Sequence, residues 1–288
     1  MISLWRVEIS IIGKLERVTQ MKKISLLIFI LTLAFALTAC GNNQAEEATE
    51  TTEQTNEAQE ALSAFELYLL ASETIEAAES LLMRSTANAS INLDGFPIEM
   101  TMRSYIHQVI HSPSEIDMRI ESHTTIDDEA ISTLSYFRGN TLYILGDNPG
   151  EGYKISLSLD EAIQVAGAEI LAFDESAILN QEVTSLAEGT ALSFTLGQDA
   201  MSNTVDSMSE ALSVILGDLV GDFNMQISDI DTQVVINAND IIETIDMSMS
   251  LDIEELGLSM QSTIRTEILH LGGIDIIFPD FLEDFIEF

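Results

Sequence analysis

The chain is short of two kinds of residue, cysteine and basic residues, and each shortage excludes a class of protein. Cys40 is the only cysteine among 288 residues. A single thiol rules out an internal disulfide framework and a zinc site built from several thiolates. There are 11 Lys and Arg against 48 Asp and Glu, a formal net charge of −37. Because nucleic-acid binding needs basic side chains to neutralise phosphates, this balance argues strongly against nucleic acid as a partner, and also against charge-driven docking on an anionic lipid surface.

Sequence signatures of catalysis and of metal or cofactor binding are missing too. There is no G-x-S-x-G nucleophile elbow, and the Gly-rich residues 146–152 lack the Lys-Ser/Thr of a phosphate-binding loop. His107 and His111 are four residues apart, which in or beside a strand is about 13 Å and too far to share one metal ion. Close carboxylate pairs arise by chance in so acidic a chain. We therefore expect a protein that is not an enzyme and has no metal site and no cofactor.

The residues before Cys40 indicate an exported protein. Residues 21–23 (Met-Lys-Lys) are a basic start, residues 24–37 are apolar or small, and residues 37–40 read Leu-Thr-Ala-Cys. This order is that of an export signal, and the apolar stretch is shorter than the roughly 20 residues that span a bilayer. A plain signal peptide with an incidental cysteine is the alternative. Residues 1–20 are expected to be an over-long start or an extended basic region of the signal.

Residues 37–40 closely resemble the lipobox of bacterial lipoproteins. The resemblance implies that residues 21–39 are a lipoprotein signal peptide, that the Cys40 sulfur receives a diacylglyceryl group, and that Cys40 becomes the first mature residue. Two acyl chains, at about 0.8 kcal/mol per buried CH₂, make a lasting anchor. The implied location is the extracytoplasmic face of the cell membrane.

Residues 40–61 are expected to be the lipidated cysteine and an acidic tether. Residues 42–60 contain no aromatic and no large aliphatic residue, so they cannot bury enough surface to become ordered. A flexible segment of this length spans roughly 20–30 Å. Loss of residues 1–39 removes five basic and two acidic residues and leaves six basic and 46 acidic ones. These carboxylates form a solvated acidic surface or hold loosely bound divalent cations.

Residues 62–288 have the composition of one folded domain that contains helices and strands. Strict alternation of apolar and polar residues predicts antiparallel strands, and these lie at 98–103, at 115–121, around 192–196 and, as the clearest hairpin, at 244–253 and 256–268. Turn residues predict further short strands through Tyr136, Tyr143 and Tyr153. Helical spacing predicts helices at 62–83 (broken near Ser72), at 158–167, within 174–186 and over 205–219. The fold class predicted is therefore α+β, with helices packed on a curved antiparallel sheet.

Methionine is unusually frequent on the apolar sides of the predicted strands. Because this side chain is unbranched and polarizable, it suits a flexible apolar guest such as an acyl chain. Ordinary core packing is the alternative. The candidate apolar-ligand residues are Met100, Met102, Met118, Ile120, Met247, Met249, Leu258 and Met260.

The chain resembles uncharacterised lipoproteins of Gram-positive bacteria related to the LppX/LprAFG group. The resemblance covers nearly all of residues 62–288 and rests on the element pattern and on three short segments, 173–178, 194–202 and 277–280. It implies a LolA-like half-barrel, a strongly curved antiparallel sheet with helices on its concave face. Characterised members of that fold carry lipids or lipidated proteins.

Two functions follow as hypotheses for residues 62–288. One is a membrane-anchored lipoprotein that binds or carries a lipid or other apolar molecule in a Met-lined concavity. The alternative is a non-catalytic envelope interaction or sensory module that acts on an envelope protein through its acidic surface or its Phe-rich C-terminal tail. In that tail, Phe278, Phe281, Phe285 and Phe288 have the spacing of a short amphipathic helix. The tail would pack on its own core, close the open end of the half-barrel or bind a partner.

Overall fold

The computed structural model describes residues 62–93, 95–112, 115–127, 129–146, 152–159, 175–197, 225–253 and 257–287. Cys40, the signal peptide and the tether lie outside these ranges, as do most of the helix predicted from Ser158 and all of the helix predicted over 205–219. Within the described ranges there is one α-helix, and no helix is both long enough and apolar enough to cross a bilayer.

The fold is one large, open, curved sheet. The strands are Ser80–Leu93 (β1), Phe96–Ser112 (β2), Glu115–Ile126 (β3), Glu129–Arg138 (β4), Thr141–Leu145 (β5), Gly152–Ser156 (β6), Ile178–Leu186 (β7), Gly189–Leu196 (β8), Met225–Ile227 (β9), Ile230–Asn237 (β10), Ile242–Ile253 (β11), Leu258–Leu271 (β12) and Ile286–Glu287 (β13). Their order in the sheet is β13-β6-β5-β4-β3-β2-β1-β12-β11-β10-β8-β7, and β9 also pairs with β11. The pairing is antiparallel throughout except between β13 and β6, which are parallel.

Helix α1, Ala64–Glu76, lies on one face of this sheet. It begins with a capping box, in which the Ser63 hydroxyl accepts from the Glu66 N–H (3.1 Å) and the Glu66 carboxylate accepts from the Ser63 N–H (2.7 Å). These bonds satisfy two backbone donors that have no partner inside a helix. Tyr68 is buried and meets Phe194 of β8 edge to face, with 6.0 Å between ring centroids. This contact fixes the helix over the β8 end of the sheet.

The strand registers place the apolar residues on one face, which we call the Met face, and most charged residues on the opposite face, which we call the polar face. In one row across the Met face, Met260 of β12 pairs with Ile91 of β1 on one side and with Leu251 of β11 on the other. In another, Ala89 pairs with Met100, which pairs with Ile126. Such period-two segregation buries one face and leaves the other to solvent.

The strand predictions are largely confirmed. The alternating segments at 98–103 and 115–121 lie in β2 and β3, and the predicted hairpin at 244–268 is β11 and β12, paired from Thr244↔Glu267 to Ile253↔Leu258. Strands also pass through Tyr136, Tyr143 and Tyr153.

Two helix predictions are wrong. The helix predicted over 62–83 ends at Glu76, and Ser80–Leu93 is a strand at the centre of the sheet, between β2 and β12. Residues 178–186, predicted to hold part of a short helix, form β7, preceded by a 3₁₀ turn at Glu175–Ala177. In both segments pairing with neighbouring strands outweighs the local helical preference. The sheet is confirmed as large and curved, whereas the described residues do not show helices packed on its concave face.

Candidate functional site

The eight residues predicted to contact an apolar ligand all lie on the Met face. Seven are buried: Met118 of β3 is 0% exposed, and Met102 of β2 is 5% exposed. Met247 is half-buried. The eight residues come from β2, β3, β11 and β12, so they span the middle of the sheet. The structure therefore brings the predicted residues together on one surface. Their burial fits a filled core and an occupied ligand pocket equally well.

A row of hydroxyl side chains crosses the Met face. Thr266 of β12 pairs with Ser85 of β1, Ser85 with Ser104 of β2, Ser104 with Ser122 of β3, and Ser122 with Thr133 of β4. The hydroxyls of Ser104 and Ser122 are 2.8 Å apart and form a hydrogen bond. Only Ser104 is buried, and the other four are partly exposed. We call these five residues the hydroxyl row; it is the less covered part of an otherwise buried surface.

A further polar group on the Met face has no partner among the described residues. Thr232 of β10 is 4% exposed and is paired between Phe194 and Met247, and its Oγ1 makes no hydrogen bond within the described part of the chain. A buried hydroxyl without a partner costs about 1–3 kcal/mol, so such groups are rare in folded proteins. Sequence analysis missed both Thr232 and the hydroxyl row. The available signal was a Ser or Thr at an inward position of an alternating strand, as at Ser104 between Met102 and Ile106.

The polar face carries every basic residue that follows Cys40. The six are Arg84, Arg103, Arg119, Arg138, Lys154 and Arg265, and the four histidines occupy the same face. Arg84 binds Glu267 through two hydrogen bonds of 2.7 Å, and the first cause of the lowered pKa of Glu267 is this bond. Within the described residues, no three His, Cys, Asp or Glu side chains converge to hold a metal ion.

The most buried charge on the polar face is Asp117. Its carboxylate accepts bonds of 2.6–3.1 Å from the Arg138 guanidinium, and His111 Nε2 lies 3.2 Å from Oδ2. Burial raises the pKa of Asp117, but the hydrogen bonds from Arg138 and His111 outweigh it and hold this pKa below its ordinary value. Burial, then the charge of Arg119, lowers the pKa of the nearby His107. The arrangement is a structural ion cluster, since it faces a packed segment and not a cleft.

That segment is the C-terminal tail. Leu282 and Phe285 are buried against Tyr136 and Tyr143, and the Arg138 guanidinium lies 3.5 Å from the centre of the Phe278 ring. The tail contains a five-residue 3₁₀ helix, Asp280–Asp284, where an amphipathic α-helix was predicted, and then adds β13 beside β6. It thus packs on the polar face of its own sheet.

Two adjoining clefts lie on the other half of the polar face. The larger, which we call the polar cleft, has a volume of about 700 Å³, and the smaller has about 540 Å³. Both contain Asn88, Thr263, Ser248 and Asp231, which pair in that order across four strands. The polar cleft continues through Thr195, which donates to Asp231 (3.1 Å), to Asn180 and Glu182 on β7. It therefore ends at the edge of the sheet.

The geometry defines a class of protein, a single curved sheet with a buried Met face and a solvated polar face. No family model matches the chain, and no curated protein matches it. Among solved structures it is similar to LprF from Mycobacterium bovis (10% identity, TM-score 0.39, 76% of this chain and 97% of that chain). It is also similar to a putative outer membrane lipoprotein-sorting protein domain from Vibrio parahaemolyticus (8%, 0.24, 77% and 98%). A third is a DUF1329 family protein from Desulfovibrio piger (14%, 0.24, 76% and 95%).

LprF belongs by name to the LppX/LprAFG group that the sequence resembles. The structural neighbours therefore include a member of the group predicted from sequence. The identities and TM-scores are too low to transfer a function to this chain, since one fold hosts many functions.

Proposed function

We propose that this protein is an extracytoplasmic lipoprotein that is anchored through Cys40 and binds or carries a lipid or another apolar molecule against its Met face. The observation that carries the proposal is the Met face itself, a continuous methionine-rich surface across the central strands that includes all eight residues chosen from sequence. Because methionine adapts to irregular neighbours, such a surface accepts flexible apolar chains more readily than one of branched residues.

The polar groups on the Met face support a ligand that is apolar with a few hydrogen-bonding atoms. The hydroxyl row is partly exposed, and Thr232 Oγ1 has no hydrogen-bond partner among the residues that the structure describes. Sites for small molecules are typically apolar with a few placed polar groups that fix orientation. An acyl chain that ends in an ester or a hydroxyl group has this chemistry.

Solvent extraction of the purified protein tests the ligand. We expect mass spectrometry of the extract to find lipid in a fixed molar ratio to protein. The variant Ser122→Phe fills the hydroxyl row and should lower that ratio, whereas His123→Phe, the next residue along β3 but on the polar face, should leave it unchanged. A clean extract from the native protein, or equal ratios in the two variants while both remain folded, would overturn the proposal.

The anchor needs its own test. We expect the mature N-terminal peptide to carry the mass of a diacylglyceryl group on Cys40, and the Cys40→Ser variant to appear in the soluble fraction, because two acyl chains supply the membrane affinity. Membrane association that is unchanged in Cys40→Ser would contradict lipidation.

The alternative function, an interaction module that acts through its Phe-rich tail, is less well supported. Leu282 and Phe285 are buried in the protein's own fold and are not free to bind a partner. The acidic part of the polar face is different, because the polar cleft on it extends to the edge strand β7.

A further inference from the structure

The strand β7 is a long edge of the sheet that the described part of the chain leaves unpaired. Its single strand neighbour among the described residues is β8, whereas the strand at the opposite edge of the sheet, β13, has only two residues and pairs with β6. Residues 179–186 are all exposed. In an edge strand, alternate residues direct their N–H and C=O groups away from the sheet, which makes them available to another strand.

The composition of β7 lacks the usual protection of such an edge. Natural edges are blocked by Lys, Pro, bulges or short length. The strand has nine residues, Ile178–Leu186, with neither Lys nor Pro and with Glu182 as its only charge. Its one irregularity lies between Ile178 and Asn180, so the remaining residues pair with β8 in a regular register. Leu179, Val183 and Leu186 are 55%, 43% and 45% exposed.

The two sides of β7 differ in charge. Val183, opposite Leu192, belongs to the Met face, while Asn180 and Glu182 belong to the polar face and line the polar cleft. Deeper in this cleft lie the carboxylates of Asp231 and Asp246, two and three strands from β7. Among the described residues that line the cleft, the one base is Arg265, which already pairs with Asp246 at 3.3 Å. The potential over the cleft is therefore negative.

From these observations we infer that β7 is a docking edge for an extended segment of another protein, in which apolar residues alternate with basic ones. The segment adds a strand beside β7 through main-chain hydrogen bonds. Its apolar side chains meet Val183 and the Met-face side, and its basic side chains lie beside Glu182 and extend toward the polar cleft. Main-chain pairing supplies affinity, and the alternation supplies specificity.

A second copy of this chain is a poorer occupant. Glu182 is the central residue of Ile178–Leu186, so a symmetric antiparallel pair of two full-length β7 strands would place Glu182 opposite Glu182. Like charges directly opposite each other destabilise a strand pair. Each copy also carries a net charge of −37, which adds a long-range repulsion.

The test uses the full-length protein and a blocked seven-residue peptide that alternates lysine with valine. The control peptide has the same residues in two blocks, one of lysine and one of valine. We expect the alternating peptide to slow hydrogen exchange at alternate amides of residues 178–186, and the block peptide to leave these amides unchanged. Amide exchange separates strand addition from general attraction between opposite charges, which protects no particular strand.

A matched pair of variants locates the charge contact. Glu182→Lys should weaken binding of the alternating peptide by roughly threefold to tenfold, the range of a lost surface pair plus a new repulsion. Glu129→Lys makes the same charge change on β4, eight strand spacings away or about 38 Å measured along the sheet, and should change binding less than twofold. Equal losses in the two variants, or no protection of β7 by the alternating peptide, would overturn the inference. The inference would also be overturned if the same amides were protected in the protein without peptide and light scattering gave twice the monomer mass. The strand beside β7 would then come from a second copy of this chain.

Discussion

At the scale of single residues, the same side-chain type has different surroundings across the Met face. Met118 and Met260 are 0% and 2% exposed, whereas Met247 is half-buried beside Thr232. A methionine in a filled core supports the fold, and a methionine at a ligand surface supports binding. Substitutions that remove volume separate these roles because only the first costs stability in the ligand-free protein.

Met118→Ala should lower the free energy of unfolding of the delipidated protein by about 2–5 kcal/mol, since it removes volume from a completely buried site. Met118→Leu conserves most of the volume and should cost less than about 1.5 kcal/mol. Urea unfolding monitored by circular dichroism measures both. Equal and small losses in the two variants would show that Met118 faces unfilled space.

Asp117→Asn should lower the free energy of unfolding by about 1.5–3 kcal/mol near neutral pH, because a buried carboxylate accepts several bonds from the half-exposed Arg138. The folded pKa of Asp117 lies below its unfolded value, so this stabilisation is present above about pH 4 and is lost as the pH falls through the folded pKa.

Stability measured from pH 7 to pH 2 checks this sign, since the native protein and Asp117→Asn should converge in acid. Asp246→Asn is the matched control. The Asp246 side chain is 35% exposed where that of Asp117 is 8% exposed, and solvent-exposed ion pairs contribute about 0–1 kcal/mol. Curves for the native protein and Asp117→Asn that stay parallel down to pH 2 would contradict the assignment.

At the scale of elements, the alternating strands were easier to predict than the boundary between α1 and β1. Residues 244–253 alternate strictly and form β11 as expected. Residues 80–83 (Ser-Leu-Leu-Met) fit a helix as well as a strand, and the end of α1 at Glu76 depends on pairing of β1 with β2 and β12. The pairing partners of residues 80–83 are 23 to 190 residues away along the chain, and a local sequence pattern does not contain them.

The N-terminus of α1 depends on local sequence. Ser63→Ala removes the cap and should cost about 1 kcal/mol of stability, whereas Thr74→Ala, an exposed change in the last turn, should cost little or raise stability. Thermal unfolding of the two variants measures the difference. Because α1 packs through Tyr68 on β8, Ser63→Ala should also speed amide exchange in α1 before it does so in β1 to β3. Equal effects of the two substitutions would show that tertiary packing alone holds the helix.

At the scale of the whole molecule, charge is segregated by the sheet. The six basic residues after Cys40 lie on the polar face, where Arg84, Arg119, Arg138 and Arg265 are paired with carboxylates. The remaining acidic residues far outnumber these pairs, so the net electrostatic effect on folding is self-repulsion.

Salt should therefore stabilise the protein. Raising sodium chloride from about 0.01 M to about 0.15 M shortens the screening length from about 30 Å to about 8 Å and should raise the thermal midpoint. Arg84→Met, which removes the pair with Glu267, should show a larger rise because its net charge is more negative. A midpoint that falls with salt would mean that the ion pairs outweigh the repulsion.

The sequence by itself determined the hydrophobic alternation, and with it most strands, the sidedness of the sheet and the eight residues of the Met face. It also contains residues 21–40, whose order predicts an export signal and a lipobox at Cys40, because such signals are recognised from local sequence. The tertiary structure alone decided that β1 is a central strand, that five hydroxyls from five strands form one row, that the tail packs on the polar face, and that β7 lies open at an edge. Each of these depends on which distant segments become neighbours, and the free energy of that pairing is spread over the whole sheet.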